Sequence, residues 1–195
     1  MIQTRRKYIK LYKEYHSYDD TYTGWSFKNG YKHVTNLISE TNSNTLLDYG
    51  CGKGRQYHVD KLHEPWGIMP SLYDPGVAEY ENLPDGPFDG IYSTDVMEHI
   101  PEQVIPSVFE WIFSNATKFV FLGICTRPAF ATLPNGENAH CTVYPHEWWA
   151  DKIREHNKNN IYTHLKCYGE SEGYEIFKDG ESTLEYLIKV PPVTE

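Results

Sequence analysis

The chain has little that would tie it to a membrane, a metal ribbon or a disulfide scaffold. Its four cysteines, Cys51, Cys125, Cys141 and Cys167, are scattered and form no C-x-x-C pair. That argues against a zinc ribbon and against a dense disulfide framework. The longest apolar run is far too short to span a bilayer. The first residues are basic and tyrosine-rich, without the apolar segment of a secretory signal, so a cytoplasmic location is the expectation. Positive charge is scarce as well: 18 Lys and Arg stand against 27 Asp and Glu, a net charge of −9. Such a chain repels a phosphate backbone unless it carries a local basic stripe. The one stripe is Arg5-Arg6-Lys7 with Lys10 and Lys13, which reads as a solvated helix face before it reads as a docking arm. Nucleic acid is therefore a disfavoured partner.

What is present suits a single domain. A length of 195 residues is enough to bury a proper core. Apolar residues make up 39%, and 16 Tyr with 5 Trp supply much of them. Rings with polar tips serve a pocket as well as a core. Tyr8, Leu11, Tyr12 and Tyr15 recur at helical spacing, and Tyr31, Val34, Leu37, Ile38 and Thr41 mark a second helix. Between them the segment from Ser17 to Trp25 reads as a polar and aromatic loop.

Strands are expected at 45–48, 71–74 and 89–94, the last after the turn Pro84-Asp85-Gly86-Pro87. Pro106 opens a helix with Val108, Phe109, Ile112, Phe113 and Ala116 on one face. The run Lys118–Ile124 (KFVFLGI) is a buried strand. Pro145 opens a further helix carrying Trp149 and Ile153. The tail holds strands at 161–168, 174–178 and 182–190, the last two flanking the hairpin signal Lys178-Asp179-Gly180-Glu181. Strands alternating with helices, then a hairpin, describe an α/β sheet with a mixed edge. Ligands of such a sheet sit at the carboxyl ends of its strands, where strand order reverses.

The chemistry gathers at Asp48-Tyr49-Gly50-Cys51-Gly52-Lys53-Gly54. Glycine at every second position lets the chain turn sharply and a ligand approach the backbone. The dinucleotide fingerprint G-x-G-x-x-G would need glycine at position 55, which is Arg55. The acid closing the strand, Asp48, is awkward beside a pyrophosphate but suits a ligand carrying an ammonium and a sulfonium. S-adenosylmethionine is such a ligand.

Leu46 to Gly54 resembles the first motif of class I S-adenosylmethionine-dependent methyltransferases. Tyr73-Asp74-Pro75 resembles that family's acidic end of the second strand, whose carboxylate takes the ribose hydroxyls. Phe88 to Pro101, with Thr94-Asp95-Val96 at the strand end, resembles its fourth strand and following loop. The resemblance is good over residues 30 to 125 and loose elsewhere. It implies one Rossmann-like domain over 1–195, with a mostly parallel sheet and a C-terminal antiparallel hairpin. Residues 1–43 would form a helical cap and 126–147 a substrate-side insert. It also implies S-adenosylmethionine as cofactor, held by Asp48, Tyr49, Gly50, Cys51, Gly52, Gly54, Asp74, Pro75, Thr94, Asp95 and Val96. The chain departs from the family between Asp74 and Phe88, which is too short for a complete helix, strand and loop. A stunted third strand is expected near 78–82, with the adenine edge near Glu81, Asn82 and Leu83.

For the acceptor, the Asn/Asp-Pro-Pro-Tyr/Phe signature of amine and amide methyltransferases is missing after Ser93, and so is the Pro-Cys of cytosine-C5 enzymes. Thr94 to His99 resembles the branch that methylates small molecules. Histidine is the natural base near neutral pH for deprotonating a hydroxyl or ammonium acceptor. His140, then His99 and His146, stand on or just beyond the loops expected above the cofactor. His140 and His146 match no standard zinc spacing, so no metal is expected. Methyl transfer to a small-molecule acceptor is the leading expectation. A cofactor-binding module without turnover, and an RNA or protein methyltransferase docking through the N-terminal helix, are the alternatives.

Overall fold

The computed structural model describes residues 2–18 and 25–185. Most of the expected loop at Ser17–Trp25 and the end of the last expected strand lie outside the described residues. Seven strands form one sheet: β1 (Leu46–Tyr49), β2 (Ser71–Tyr73), β3 (Phe88–Thr94), β4 (Ala116–Cys125), β5 (Tyr162–Tyr168), β6 (Gly173–Lys178) and β7 (Glu181–Glu185). Their order is β2-β1-β3-β4-β5-β6-β7. The first five strands run parallel, and β6 and β7 close the edge as an antiparallel hairpin. This is a mixed α/β sheet consistent with a Rossmann-like fold.

Helices cover both faces, as a parallel sheet requires. On one side α2 (Tyr31–Thr41) buries Val34, Leu37 and Ile38 against Leu46, Tyr92, Phe119 and Phe121. Each such aliphatic side chain contributes about 1.5–3 kcal/mol when fully buried. On the other side α4 (Ile105–Asn115) and α5 (His146–His156) pack Phe109, Ile112, Trp149 and Ile153 onto Leu47, Ile91, Val120 and Leu122. Alternation along β1 thus sends Leu46 and Asp48 to the α2 face, and Leu47 and Tyr49 to the other. No helix among the described residues is long and apolar enough to cross a membrane.

Two expectations need correction, and one helix is short. The third strand near 78–82 is not there: Ala78–Tyr80 is a single 3-10 turn, and among the described residues no further strand lies beside β2. The stretch between Asp74 and Phe88 is too short to leave the sheet and return. The helix after the glycine loop, α3 (Arg55–His58), is one turn long, so it supplies no developed helix dipole. Finally Ala116 begins β4 rather than ending the preceding helix, and its side chain is buried where Phe88 pairs with it. The hairpin turn is as expected: Asp179 and Gly180 both have positive φ (54° and 83°), the geometry of a type I′ turn.

Candidate functional site

A cavity of about 530 Å³ opens at the carboxyl ends of β1, β2, β3 and β4, a size typical of small-molecule sites. Strand order reverses there, because β1 is flanked by β2 on one side and β3 on the other. Its floor and walls include Tyr49 and Gly50 from β1, Asp74 and Pro75 after β2, and Asp95 and Val96 after β3. Gly50 has φ 91°, and a Cβ there would collide with the Val96 side chain. Glycine is therefore required where these two loops touch.

Asp74 braces the glycine loop. Its Oδ2 accepts the Gly52 N–H at 2.9 Å and its Oδ1 accepts the Gly76 N–H at 2.8 Å. The Tyr73 carbonyl accepts the N–H groups of both Gly50 and Cys51. The loop is thus shaped by the end of β2 before any ligand arrives. Burial pushes the Asp74 carboxyl above its ordinary value, while those N–H groups and His16 oppose the shift.

The other expected cofactor residues do not reach the cavity. Asp48 lies on the α2 face, where its Oδ2 accepts the Tyr57 hydroxyl (2.5 Å) and the Gln56 amide (3.1 Å). Tyr57 in turn meets Tyr92 at 2.7 Å. Burial raises the Asp48 pKa to about 7 against those two donors. Cys51, Gly52, Gly54, Leu83 and Thr94 also stand off the cavity wall. Thr94 packs its methyl beside Gly30 and Gly123, and Leu83 packs against the α4 side of the core. For Asp48 and Thr94 the parity of the strand, which no motif fixes by itself, decides the placement.

Helix α1 (Ile2–Tyr18) lies across the mouth and contributes Arg5, Tyr8, Ile9, Tyr12, Tyr15 and His16 to the lining. It is fastened on both sides. Tyr8 and Lys7 bond Glu137, Tyr12 donates to the Ala139 carbonyl at 2.5 Å, Arg5 reaches the Tyr73 hydroxyl, and Lys13 pairs with Glu81. Three of the five cations in the basic stripe therefore hold the helix down. The tyrosines whose spacing marked this helix, Tyr8, Tyr12 and Tyr15, face the cavity.

The insert 126–147 forms the far wall through Arg127, Ala129, Phe130, Ala131, Ala139 and His140. Asn138 staples it: its side chain bonds the N–H and carbonyl of Ala129 and the N–H of His140. His99 and His140 meet edge to face, with ring centroids 4.6 Å apart. Desolvation and the neighbouring His140 lower the His99 pKa to about 3, and burial lowers that of His140 as well. Both rings are neutral near pH 7.

His146 is not part of this group. It opens α5 with its ring packed on Gly173 and its Nε2 3.6 Å from Glu175, on the hairpin side of the sheet. β6 runs antiparallel beside β5 and sets Gly173 and Glu175 against the start of α5. Sequence reasoning missed Glu98, which is wholly buried beside His99. The spacing Asp95-x-x-Glu98-His99 was the available signal. It also missed the α1 residues, whose periodicity speaks equally for core and cavity.

Comparison with protein-family models, with curated proteins and with solved structures finds no match to this chain.

Proposed function

We propose that this protein transfers a methyl group from S-adenosylmethionine to an oxygen or nitrogen of a small-molecule acceptor such as a sugar or other metabolite. One observation carries the reading: three separated sequence pieces, Tyr49-Gly50, Asp74-Pro75 and Asp95-Val96, share the wall of a single 530 Å³ cavity. Asp74 stands at the end of β2 with lone pairs still open to ribose hydroxyls. The insert and α1 line the space beyond, where an acceptor would be held in line with the methyl and the departing sulfur. A cavity of about 530 Å³ suits a metabolite, and the cytoplasm is the compartment the reading assigns.

Calorimetric titration with S-adenosylmethionine, S-adenosylhomocysteine and NAD tests this. Micromolar binding of the first two and none of NAD is expected. Asp74→Asn should weaken cofactor binding by about 1–3 kcal/mol through the altered hydrogen bonds. Tighter binding of NAD, or no binding of either sulfur compound, would overturn the reading.

A further inference from the structure

We propose that Glu98, His99 and His140 form a binding site for one divalent transition-metal ion, of the Zn²⁺ or Mn²⁺ kind, at the acceptor end of the cavity. One ligand atom from each of the three residues lies within 4.8 Å of the others, close enough to surround a single ion. Both rings are oriented as metal-binding imidazoles usually are, with the second nitrogen tied to a backbone carbonyl. His99 Nδ1 lies 2.9 Å from the Ala139 carbonyl, and His140 Nδ1 lies 2.6 Å from that of Arg127. A carbonyl oxygen can only accept, so these contacts call for N–H at each Nδ1, with the Tyr12 hydroxyl, 3.1 Å from His99 Nδ1, donating to the same Ala139 carbonyl; each Nε2 then keeps its lone pair.

The carboxylate adds an independent observation. Glu98 is fully buried, and its Oε1 accepts the Cys125 N–H at 2.9 Å. Its Oε2 is buried and finds no N–H or hydroxyl donor among the described residues. The carboxyl of Asp95, a second acid, adjoins it. Two imidazoles and a buried carboxylate oxygen that has no N–H or hydroxyl donor among the described residues thus converge on one point, with the Asp95 carboxyl hydrogen-bonded to Glu98 at its edge. In a dry site that arrangement is costly, and a cation resolves it.

The donor set is two imidazoles and one or two carboxylates without thiolate, which suits Zn²⁺, Mn²⁺ or Fe²⁺ better than Mg²⁺ or Ca²⁺. Asp95, His99 and His140 line the cavity while Glu98 lies beneath. Open coordination positions therefore face the acceptor. The role of the ion rests on the methyl-transfer reading, although the site itself does not. There it would select a hydroxyl acceptor, a vicinal diol being best suited to chelation, and acidify it. The hydroxyl proton passes to Asp95 or water. The oxygen then bonds the methyl carbon as the carbon–sulfur bond breaks, and the electron pair leaves on sulfur as a neutral thioether.

Calorimetric titration of the full chain with Zn²⁺ and Mn²⁺, without S-adenosylmethionine, tests the site separately from the cofactor. One equivalent of ion is expected, bound at least tenfold more weakly by His140→Ala. No binding of either ion, or unchanged binding in that variant, would overturn the proposal. Substitution with Co²⁺ gives a second readout that needs no variant. Visible bands of a nitrogen–oxygen site are expected, whereas strong thiolate charge transfer would move the ion to a cysteine and sink the assignment.

Discussion

Two buried carboxylates, on opposite sides of the central strands, have opposite surroundings. Asp48 receives a hydroxyl and an amide on one oxygen, and the chain Asp48–Tyr57–Tyr92 satisfies the carboxylate within the α2 side of the core, leaving only the Gln56 Oε1 of this group without a partner among the described residues. Glu98 receives one backbone N–H, keeps one oxygen without a donor, and faces two imidazoles and another acid. A satisfied network rigidifies a core, while a half-satisfied one is stable only if something else completes it. The difference separates a residue that holds the fold from a residue that awaits a ligand, although both were equally acidic and equally close to the motifs.

The largest expected effect lies on the closed side. Asp48→Leu removes the shared acceptor of the Tyr57 hydroxyl and the Gln56 amide in a dry site, leaving them Tyr92 and the Cys51 carbonyl, and should cost on the order of 3 kcal/mol. Urea denaturation measures it; a loss below about 1 kcal/mol would show that the network is slack and that the contrast with Glu98 is false. On the open side the sign reverses. Glu98→Gln keeps an acceptor for the Cys125 N–H and replaces the unsatisfied oxygen with a donor. Without metal its stability should equal or slightly exceed that of the parent. A clear destabilisation in chelator would mean that Glu98 is already satisfied as it stands.

pH sharpens the same contrast. The folded-state pKa of Asp48 is raised from 3.8 to about 7, so the folded state binds the extra proton. The stability this proton supplies is fully present below the unfolded value near 3.8 and is lost as pH rises through about 7. The stability difference between the parent and Asp48→Asn should therefore shift against the parent between pH 4 and pH 8. A flat difference in denaturation midpoints would refute the raised value. The smallest effect concerns the lid. Tyr12→Phe removes the hydroxyl that α1 gives to the Ala139 carbonyl, and about 1 kcal/mol of stability should go with it. The fraying of α1, read by amide exchange, should increase more than that of the sheet.

Much of the fold was legible. Continuous apolar runs in Lys118–Ile124 and the Asp179-Gly180 turn correspond closely to β4 and to the β6–β7 hairpin, because their signals are local. The stretch from Asp74 to Phe88 was legible only as a shortage of chain. Its outcome, a 3-10 turn at Ala78–Tyr80 in place of a strand, depends on pairing that a short segment cannot reach. At the site, Gly50, Asp74 and Asp95 were found by motif, and the structure brings them to one wall. Motif alone could not say that Asp48 and Thr94 turn away from it, or that His146 belongs to the hairpin side.

The sequence by itself determined the alternation of strands and helices, the glycine-rich turn after β1 and the acids that end β2 and β3. Each of these follows from local conformational preference and periodicity. Only the tertiary structure decided that α1 closes over the strand ends, that His140 comes back beside His99, and that Glu98 lies beneath both with an oxygen lacking a donor. Those relations span some forty to a hundred and thirty residues. They depend on which side chains share a face after the sheet has assembled, and no local pattern encodes that.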